Sequence, residues 1–190
     1  MNLSETRRRI VRAVRDLHEE VGPSSTTISG IAQRAGVQRL TVYRHFPDQR
    51  ALIAACSSDW SGDHPFPASA LWSGIQDPRK RLETALTELY AYFRGGAPML
   101  EQVLRDEGQV PELAEVMAPW WDGMREMAGG LAAGWGTGQD DQRRLRAAVG
   151  HALRFETWRS LASEGLEDPE AADMMVRWIT RLAQEGKERG

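Results

Sequence analysis

Four polar side chains between positions 39 and 45 are suited to binding a nucleic acid: Arg39, Thr41, Arg44 and His45. All four are predicted to point outward from one short helix, and each carries charge or donates hydrogen bonds. Guanidinium, hydroxyl and imidazole groups presented together can reach the base edges and the phosphates of double-stranded DNA. These residue types therefore indicate recognition of an anionic polymer.

Two short helices joined by a tight turn must position these side chains, in the segment T-I-S-G-I-A-Q-R-A-G-V-Q-R-L-T-V-Y-R-H-F from Thr27 to Phe46. Thr27 is a good N-cap for the first helix, and Gly36 has the backbone freedom that the turn requires. The inward-facing residues are small or apolar and allow a close helix crossing: Ile28, Ile31, Ala32, Ala35, Val37 and Val42. The pattern is typical of a helix-turn-helix whose second helix enters the major groove.

The alternative for this segment is an ordinary αα-hairpin with a solvated basic face. The distribution of charge favours DNA binding. Residues 1–50 contain nine arginines and five acidic residues, a net charge of +4, whereas residues 51–190 carry −7 within an overall charge of −3. A basic segment on an acidic remainder indicates an anion-binding module joined to a body with another task.

The whole chain of 190 residues is predicted to be all-α. Helical periodicity occurs almost throughout, and neither sustained alternation nor β-branched runs predict a strand. We expect a three-helix helix-turn-helix domain over residues 1–50 and a helical ligand-binding and dimerisation domain over residues 51–190. In the first helix, one buried stripe is predicted to contain Ile10, Val14, Leu17 and Val21, before Gly22 and Pro23 end the helix.

Residues typical of helix N-termini predict where helices begin within residues 51–190. Asp-Pro pairs at 77–78 and 168–169 each provide an N-cap followed by proline at the first helical position. Pro98 is predicted to begin a separate helix. Residues 137–140 resemble a capping box that starts a long helix ending at about Ser163.

The N-terminal part of the chain resembles the tetracycline-repressor (TetR) family of one-component regulators. The resemblance runs from the first helix through Ile53, and its motifs are I-A-x-x-A-G-V at residues 31–37 and T-V-Y-R-H-F-P at residues 41–47, followed by A-L-I at residues 51–53. Beyond residue 60 the chain matches only in length, helicity and a terminal helix pair. The resemblance implies a homodimeric transcriptional repressor that binds a palindromic operator and is released by a small, apolar or aromatic effector.

The resemblance also implies a set of DNA contacts. Arg39 and Thr41 would approach base edges, and Leu40 would touch a thymine methyl. Tyr43, His45 and Thr27 would bind phosphates, and Arg44 would contact either bases or phosphates. Packing of the ring is the alternative role for Tyr43. The full implied set is Thr27, Gln38, Arg39, Leu40, Thr41, Tyr43, Arg44, His45 and Gln49.

Three residues depart from the family pattern. Gln49 stands where a lysine is frequent, so a phosphate there would be bound by backbone N–H groups at the helix N-terminus. Gly30 stands where an acidic residue often follows the cap, and Gln38 replaces a small hydroxyl residue. These departures bear on the affinity for DNA.

Aromatic and methionine side chains concentrate in the body, and all seven tryptophans lie beyond residue 59. Each one alone is more readily a core residue, but together they suit an adaptable pocket for an apolar ligand. The candidates are Trp60, Tyr90, Phe93, Met99, Trp120, Trp121, Met124, Phe155 and Trp158. The alternative is a body that only dimerises and binds no effector.

A face of small residues on the helix before the last, together with an apolar last helix, predicts a four-helix dimer interface. The residues expected there are Val149, Ala152, Met174 and Trp178. Packing within one chain is the alternative. A two-fold axis is what a helix-turn-helix protein needs to read a palindrome.

An enzyme is disfavoured because no catalytic motif is complete. His18-Glu19-Glu20 lacks the second histidine of a zinc-protease helix, and residues 134–138 lack the spacing and strand of a nucleotide-binding loop. Cys56 has no histidine partner at a meaningful spacing, and a small buried role is preferred for it. We expect no cofactor and no metal.

Membrane insertion and secretion are disfavoured as well. No uncharged run exceeds thirteen residues, which is too short for a membrane-spanning helix. Arg12 and Arg15 interrupt the apolar stretch that a signal peptide would need. A single cysteine excludes a disulfide framework within the chain. We therefore expect a soluble cytoplasmic protein.

Overall fold

The computed structural model describes residues 3–189 and, for side chains, residues 4–186. Within that range no strand occurs, and the all-α prediction is confirmed. The α-helices in chain order are α1 (Leu3–Val21), α2 (Ile28–Ala35), α3 (Arg39–His45), α4 (Gln49–Asp63), α5 (Ala70–Ser73), α6 (Pro78–Asp106), α7 (Pro111–Leu131), α8 (Gln139–Ala152), α9 (Phe155–Ser163) and α10 (Asp168–Arg189). Of these described helices, none has an apolar stretch that would cross a bilayer.

The helices form two compact units. The first comprises Met1–Pro65 and Gly96–Pro119, and the second comprises Phe66–Gly95 and Trp120–Gly190. Helices α6 and α7 thus each contribute residues to both units. The functional division predicted at residue 50 stays a prediction.

The first unit has its core between α1 and the three helices that follow it. Ile10 and Val14 of α1 are fully buried and Leu17 is partly buried, as the predicted stripe requires. Val21 is 43% exposed, so the prediction was wrong for this residue. The reason is that α1 ends there and the chain turns away at Gly22, which adopts a left-handed φ of 88°.

Helix α6 continues through Pro98, so the prediction that this proline begins a separate helix was wrong. Proline costs free energy inside a helix because it lacks an N–H group. Here Met99 and Leu100, the next two residues, are buried in the first unit, and burial of apolar side chains offsets that cost. The predicted start at residues 77–78 is confirmed, because Asp77 Oδ1 accepts a hydrogen bond of 2.9 Å from Arg79 N.

The long helix predicted up to Ser163 is instead divided into α8 and α9, which are separated by residues 153–154. Two side-chain hydroxyl groups donate hydrogen bonds to backbone carbonyl groups at the end of α8. The Tyr90 hydroxyl donates to Ala152 O at 2.9 Å, and Thr157 Oγ1 donates to His151 O at 2.6 Å. Tertiary partners therefore replace helix-internal hydrogen bonds at this break.

The predicted capping box at residues 137–140 does not form. The N-cap of α8 is Gly138, which offers no side chain. Thr137 Oγ1 instead donates to Gln142 Oε1 at 2.9 Å, and Gln142 Nε2 donates to Ala132 O at 2.7 Å. Gln142 therefore links the start of α8 to the residues just after α7.

Candidate functional site

Helices α2 and α3 form the predicted helix-turn-helix. Thr27 is the N-cap of α2, and its Oγ1 accepts a hydrogen bond of 3.1 Å from Gly30 N. Gly36 ends α2 in the left-handed conformation with φ 63°, which glycine adopts without steric cost. Ala32 and Val42 are buried on the inner face. The inward face and the turn are therefore as the sequence predicted.

The outer face of α3 carries cationic and apolar side chains together. Arg39 and Arg44 are exposed, and neither forms an ion pair with any other described residue. Leu40 is 67% exposed and Tyr43 is 46% exposed on the same short helix. To the described residues, Arg44 makes one long hydrogen bond of 3.4 Å, to Thr41 Oγ1. This face is available to a partner that is anionic and offers apolar contact.

The other predicted contact residues border this helix. The Gln38 side chain is exposed and makes no capping hydrogen bond at the start of α3. His45 is half-buried beside the ring of Phe46. Gln49 is exposed as the first residue of α4.

A carboxylate occupies the N-terminus of α4, where the sequence predicted a phosphate contact through backbone N–H groups. Asp48 is the N-cap, and its Oδ1 accepts a hydrogen bond of 2.7 Å from Ala51 N. A negative charge at this position repels a phosphate. Any phosphate contact at Gln49 would therefore have to involve the remaining N–H groups or the Gln49 amide.

Two arginines of α1 have structural partners that the sequence did not reveal. Arg9 Nη2 donates to Ala35 O and, at 3.2 Å, to Gly36 O, so it satisfies carbonyl groups at the end of α2. The guanidinium of Arg7 lies 4.9 Å from the centroid of the Phe46 ring, after α3. Both side chains hold the helix-turn-helix in place. No local spacing could have indicated this, because the partners are more than 25 residues away.

Further arginines in the first fifty residues are paired with acidic groups. Arg34 makes two hydrogen bonds to Glu20, of 2.7 and 2.6 Å. Arg15 contacts Asp63 at 2.5 Å and Asp59 at 3.4 Å. Arg50 contacts Glu115 at 3.0 Å. The basic charge of this segment is thus partly neutralised, whereas α3 keeps unpaired cations.

His18 and Cys56 form a buried neutral pair inside the first unit. His18 Nδ1 lies 3.7 Å from Cys56 Sγ. Burial lowers the pKa of His18 to about 4, a shift that the negative charge of Asp106 partly opposes. Burial also raises the pKa of Cys56 to about 12. Cys56 is therefore an unreactive core thiol at neutral pH, and its predicted buried role is confirmed.

Four of the predicted ligand-binding residues pack against one another in the core of the second unit: Tyr90, Phe93, Phe155 and Trp158. The rings of Phe93 and Phe155 are 5.5 Å apart, and those of Phe155 and Trp158 are 5.3 Å apart. The Trp158 indole N–H donates to Asp168 Oδ1 at 2.8 Å. These aromatic residues therefore occupy the core role that stood as the alternative for each.

Two other predicted ligand-binding residues, Trp121 and Met124, line an open groove of about 310 Å³ in the second unit. The Arg154 guanidinium lies 4.8 Å from the Trp121 ring centroid, and the Trp120 ring packs edge-on at 4.6 Å. The remaining lining residues are Arg125, Ala128, Gly150, His151 and Leu153. The groove combines an apolar floor with cationic side chains.

Two further predicted ligand-binding residues, Trp60 and Met99, belong to the first unit, and the ninth, Trp120, packs on Trp121 in the second. Met99 is a member of the buried core of the first unit, and Trp60 packs against that core. The nine predicted residues are therefore divided between the two units.

Two of the four predicted dimer residues are buried within the chain, and two are accessible. Val149 and Ala152 are fully buried by the chain itself, whereas Met174 is half-buried and Trp178 is 60% exposed. A side chain with no accessible surface cannot contact a second copy, so Val149 and Ala152 move from the predicted interface to the core. Of the small residues of α8, Ala152 is buried within the chain, whereas Ala147 is exposed.

The N-terminal segment is similar in sequence to known bacterial regulatory proteins. Residues 10–56 match the family model described as bacterial regulatory proteins, tetR family. A helix-turn-helix-type transcriptional regulator of Mycobacterium tuberculosis is 42% identical over 52 residues, covering 27% of this chain and 28% of the relative. Tetracycline repressor protein class A from transposon 1721, of Escherichia coli, is 32% identical over 103 residues, covering 48% of each. The chain thus spans between about a quarter and a half of the length of these curated relatives.

A solved structure extends the similarity in fold to nearly the whole chain. A TetR-like transcriptional regulator from Rhodococcus sp. RHA1 matches with a TM-score of 0.66 and 20% identity, over 96% of each chain. At this identity the match shows the fold alone. The predicted architecture, an N-terminal helix-turn-helix domain followed by a helical C-terminal domain, is confirmed.

Proposed function

We propose that the chain is a member of the tetR family of bacterial regulatory proteins, whose model matches residues 10–56, and that it is a homodimeric repressor that binds a palindromic operator and releases it when a small effector binds. Members of the family are DNA-binding transcription factors and not enzymes, which agrees with the absence of a complete catalytic motif in the sequence. The proposal places the protein in the cytoplasm, where it has access to DNA.

The observation that carries the proposal is the outer face of α3. Arg39 and Arg44 form no ion pair with another described residue and lie beside an exposed Leu40 and Tyr43. Arginine reads guanine through two hydrogen bonds, an apolar side chain contacts the thymine methyl, and a tyrosine hydroxyl binds phosphate. All three interactions are available from a helix of seven residues.

The homodimer is proposed to form through α10. Trp178 is exposed there and Met174 is half-buried, and such side chains gain free energy when a second copy covers them. Two copies related by a two-fold axis would present their α3 helices to half-sites about 34 Å apart.

The effector is proposed to act by a two-state shift in the separation of the two α3 helices. A coupling free energy of about 1–3 kcal/mol weakens operator binding by about 5–150-fold. The groove between Trp121 and Arg154 offers an apolar wall and positive charge, so an effector with an apolar body and an acidic group fits its chemistry.

A second candidate is a dimeric DNA-binding protein without an effector. It is favoured by the packing of Tyr90, Phe93, Phe155 and Trp158 into a core, because these residues were predicted to surround a ligand. A fall in operator affinity that depends on a compound distinguishes the first candidate from the second.

The proposal is tested by selecting DNA from a random duplex library with the purified full-length chain. We expect enrichment of a palindrome, and light scattering should give two chains per bound duplex. Enrichment of an asymmetric sequence, or binding as a monomer, contradicts the proposed homodimer. The selected duplex then serves for a screen of aromatic and aliphatic acids for release of DNA.

The groove is tested with Trp121→Ala, because loss of the aromatic wall should weaken a releasing acid by about 1–3 kcal/mol. Leu71→Ala, which removes an exposed apolar side chain of the second unit outside this groove, is the control. DNA binding without a ligand should persist in Trp121→Ala. If release is unchanged in this variant, the groove is not the effector site.

A further inference from the structure

The last residue of α6, Asp106, has an almost completely buried carboxylate, with 1% of the residue exposed. Its Oδ2 accepts hydrogen bonds from Ser24 N at 2.9 Å and from Ser24 Oγ at 2.8 Å, and its Oδ1 accepts one from Arg105 Nε at 2.8 Å. Burial opposes ionisation, but the hydrogen bonds from Arg105 and Ser24 outweigh it and hold the pKa of this carboxyl below its usual value. Asp106 is therefore a charged group with several donors.

The close approach of α1 and α6 at this point depends on Gly22. A Cβ atom there would overlap both the Asp106 carboxylate and the Arg105 guanidinium, and φ is 88°. Arg105 Nη2 also donates to Val21 O at 3.4 Å. Side chains at the end of α6 thus pack against the backbone at the end of α1.

Ser24 connects this contact to the helix-turn-helix. It lies in a short 3-10 turn, Pro23–Ser25, between α1 and α2. Thr26 closes this turn, since its N–H donates to Pro23 O at 3.3 Å and its Oγ1 donates to Gly22 O at 2.8 Å. The next residue, Thr27, is the N-cap of α2. Ser24 therefore lies in the turn that leads directly into the N-cap of α2.

We propose that Asp106 is a positioning residue for DNA binding, because its hydrogen bonds to Ser24 fix the start of α2 and, through α2, the orientation of α3. The inference rests on the proposed function. Asp106 lies outside residues 10–56, which match the family model, so the family match assigns it no role. A buried charge is expensive unless it is well hydrogen-bonded, and a positioning role accounts for a carboxylate at this place.

The test compares Asp106→Asn, Ser24→Ala and the double variant with the wild-type full chain. Glu20→Gln is the matched control, because it weakens the Glu20–Arg34 ion pair between α1 and α2 without touching α6. The measurements are amide hydrogen exchange at residues 26–31 and the dissociation constant for the selected palindromic duplex. Both are made at a temperature at which circular dichroism shows every variant folded.

In Asp106→Asn we expect exchange at residues 26–31 to accelerate, and the dissociation constant to rise, by about tenfold, because hydrogen bonds to a charged group are lost. Ser24→Ala should shift both in the same direction, and the double variant should be less affected than the sum of the singles. Glu20→Gln should leave the exchange at these residues within about twofold of the wild type, as an exposed ion pair contributes little.

A purely structural role would lower the melting temperature of Asp106→Asn but leave both measurements at wild-type values, and this result overturns the inference. If Asp106→Asn does not fold, hydrogen exchange and the dissociation constant of Ser24→Ala test the positioning role instead. If the wild-type chain selects no duplex, the proposed function fails, and unchanged exchange at residues 26–31 would separately refute the positioning role.

Discussion

Arginine side chains in the first unit have the same charge but two different roles: some are exposed on α3, and others bind neighbouring helices. Arg39 and Arg44 are exposed on α3 and form no ion pair with another described residue, whereas Arg9 donates to carbonyl groups at the end of α2 and Arg34 pairs with Glu20 at the surface. A guanidinium forms directed hydrogen bonds in both roles. The effect of a substitution should therefore depend on the partner of each arginine and not on the loss of one positive charge.

Arg39→Ala should weaken binding to the selected palindrome by about 1–3 kcal/mol, if the guanidinium contacts a base through two hydrogen bonds. Unrelated DNA should lose much less affinity, because phosphate attraction does not depend on sequence. Fluorescence anisotropy with both duplexes measures the difference. Arg12→Ala, which removes an exposed arginine from α1, is the control and should affect the two duplexes equally. Equal losses for Arg39→Ala would show that Arg39 does not read bases.

His18 should make the stability of the first unit depend on pH. Burial lowers its folded-state pKa to about 4 from an ordinary value of 6.5. Below pH 6.5 the unfolded chain therefore binds a proton that the folded chain does not, and stability falls as the pH decreases toward 4. The loss between pH 7 and pH 5 should be about 2 kcal/mol.

Urea unfolding of the wild type and of His18→Leu at these two pH values measures this contribution. The difference between pH 7 and pH 5 should be smaller in His18→Leu by that amount, whatever the variant does to stability overall. An identical pH dependence in the two proteins would contradict the assignment to His18.

Among the helices, the junction between α2 and α3 depends on a contact with α1. Arg9 donates to two successive carbonyl groups, those of Ala35 and Gly36, where α2 has no further N–H groups to offer. Lysine retains the charge but has a single ammonium group in place of the planar guanidinium. Lysine at position 9 should therefore stabilise the junction between α2 and α3 less than arginine does.

Arg9→Lys should lower the free energy of unfolding by about 1 kcal/mol, with Arg8→Lys as the matched control. Arg8 is exposed on the same helix, so its replacement by lysine should leave stability unchanged. Both variants keep the net charge, and attraction to unrelated DNA should therefore stay near that of the wild type. Chemical denaturation gives the stability, and equal stability of the two variants would contradict the structural role of Arg9.

The helix starts were predictable where the signal was local. Thr27 caps α2, and the Asp77 cap begins α6, because a cap needs only a side chain within three residues of the N–H that it binds. The course of a helix past a proline and the break between α8 and α9 could not be predicted from the sequence. Pro98 lies inside α6, and α8 ends at Ala152, where the Tyr90 hydroxyl from another helix takes up the carbonyl. Packing partners distant in the sequence decide both cases.

The assembly of two chains should depend on α10. Trp178→Glu should yield a folded monomer that no longer binds the palindrome tightly, because the residue is exposed in one chain and the substitution would bury a charge in the dimer. Val149→Glu is the contrasting variant. It should unfold the second unit, since Val149 is fully buried and an unpaired charge is costly there.

Light scattering coupled to size exclusion, with circular dichroism for folding, distinguishes the two outcomes. A folded Trp178→Glu dimer with normal affinity for the palindrome would show that this face of α10 is not the interface. A folded monomeric Val149→Glu would return Val149 to the interface.

The helix-turn-helix could be predicted from residues 27–46 because everything that defines it is local. An N-cap, a glycine in the turn and an inward stripe occur within two short helices, and backbone sterics and helical periodicity are sufficient to relate them. The same holds for the all-α class, which follows from periodicity along the chain.

The roles of individual side chains required the folded chain, because they depend on neighbours far apart in sequence. Composition showed nine arginines in the first fifty residues, but only tertiary contacts distinguish Arg39 from Arg9. The aromatic residues of the body were equally compatible with a pocket and with a core, and Phe93 and Phe155 proved to be core residues. Burial depends on what packs from the other side, and one segment of sequence does not contain that information.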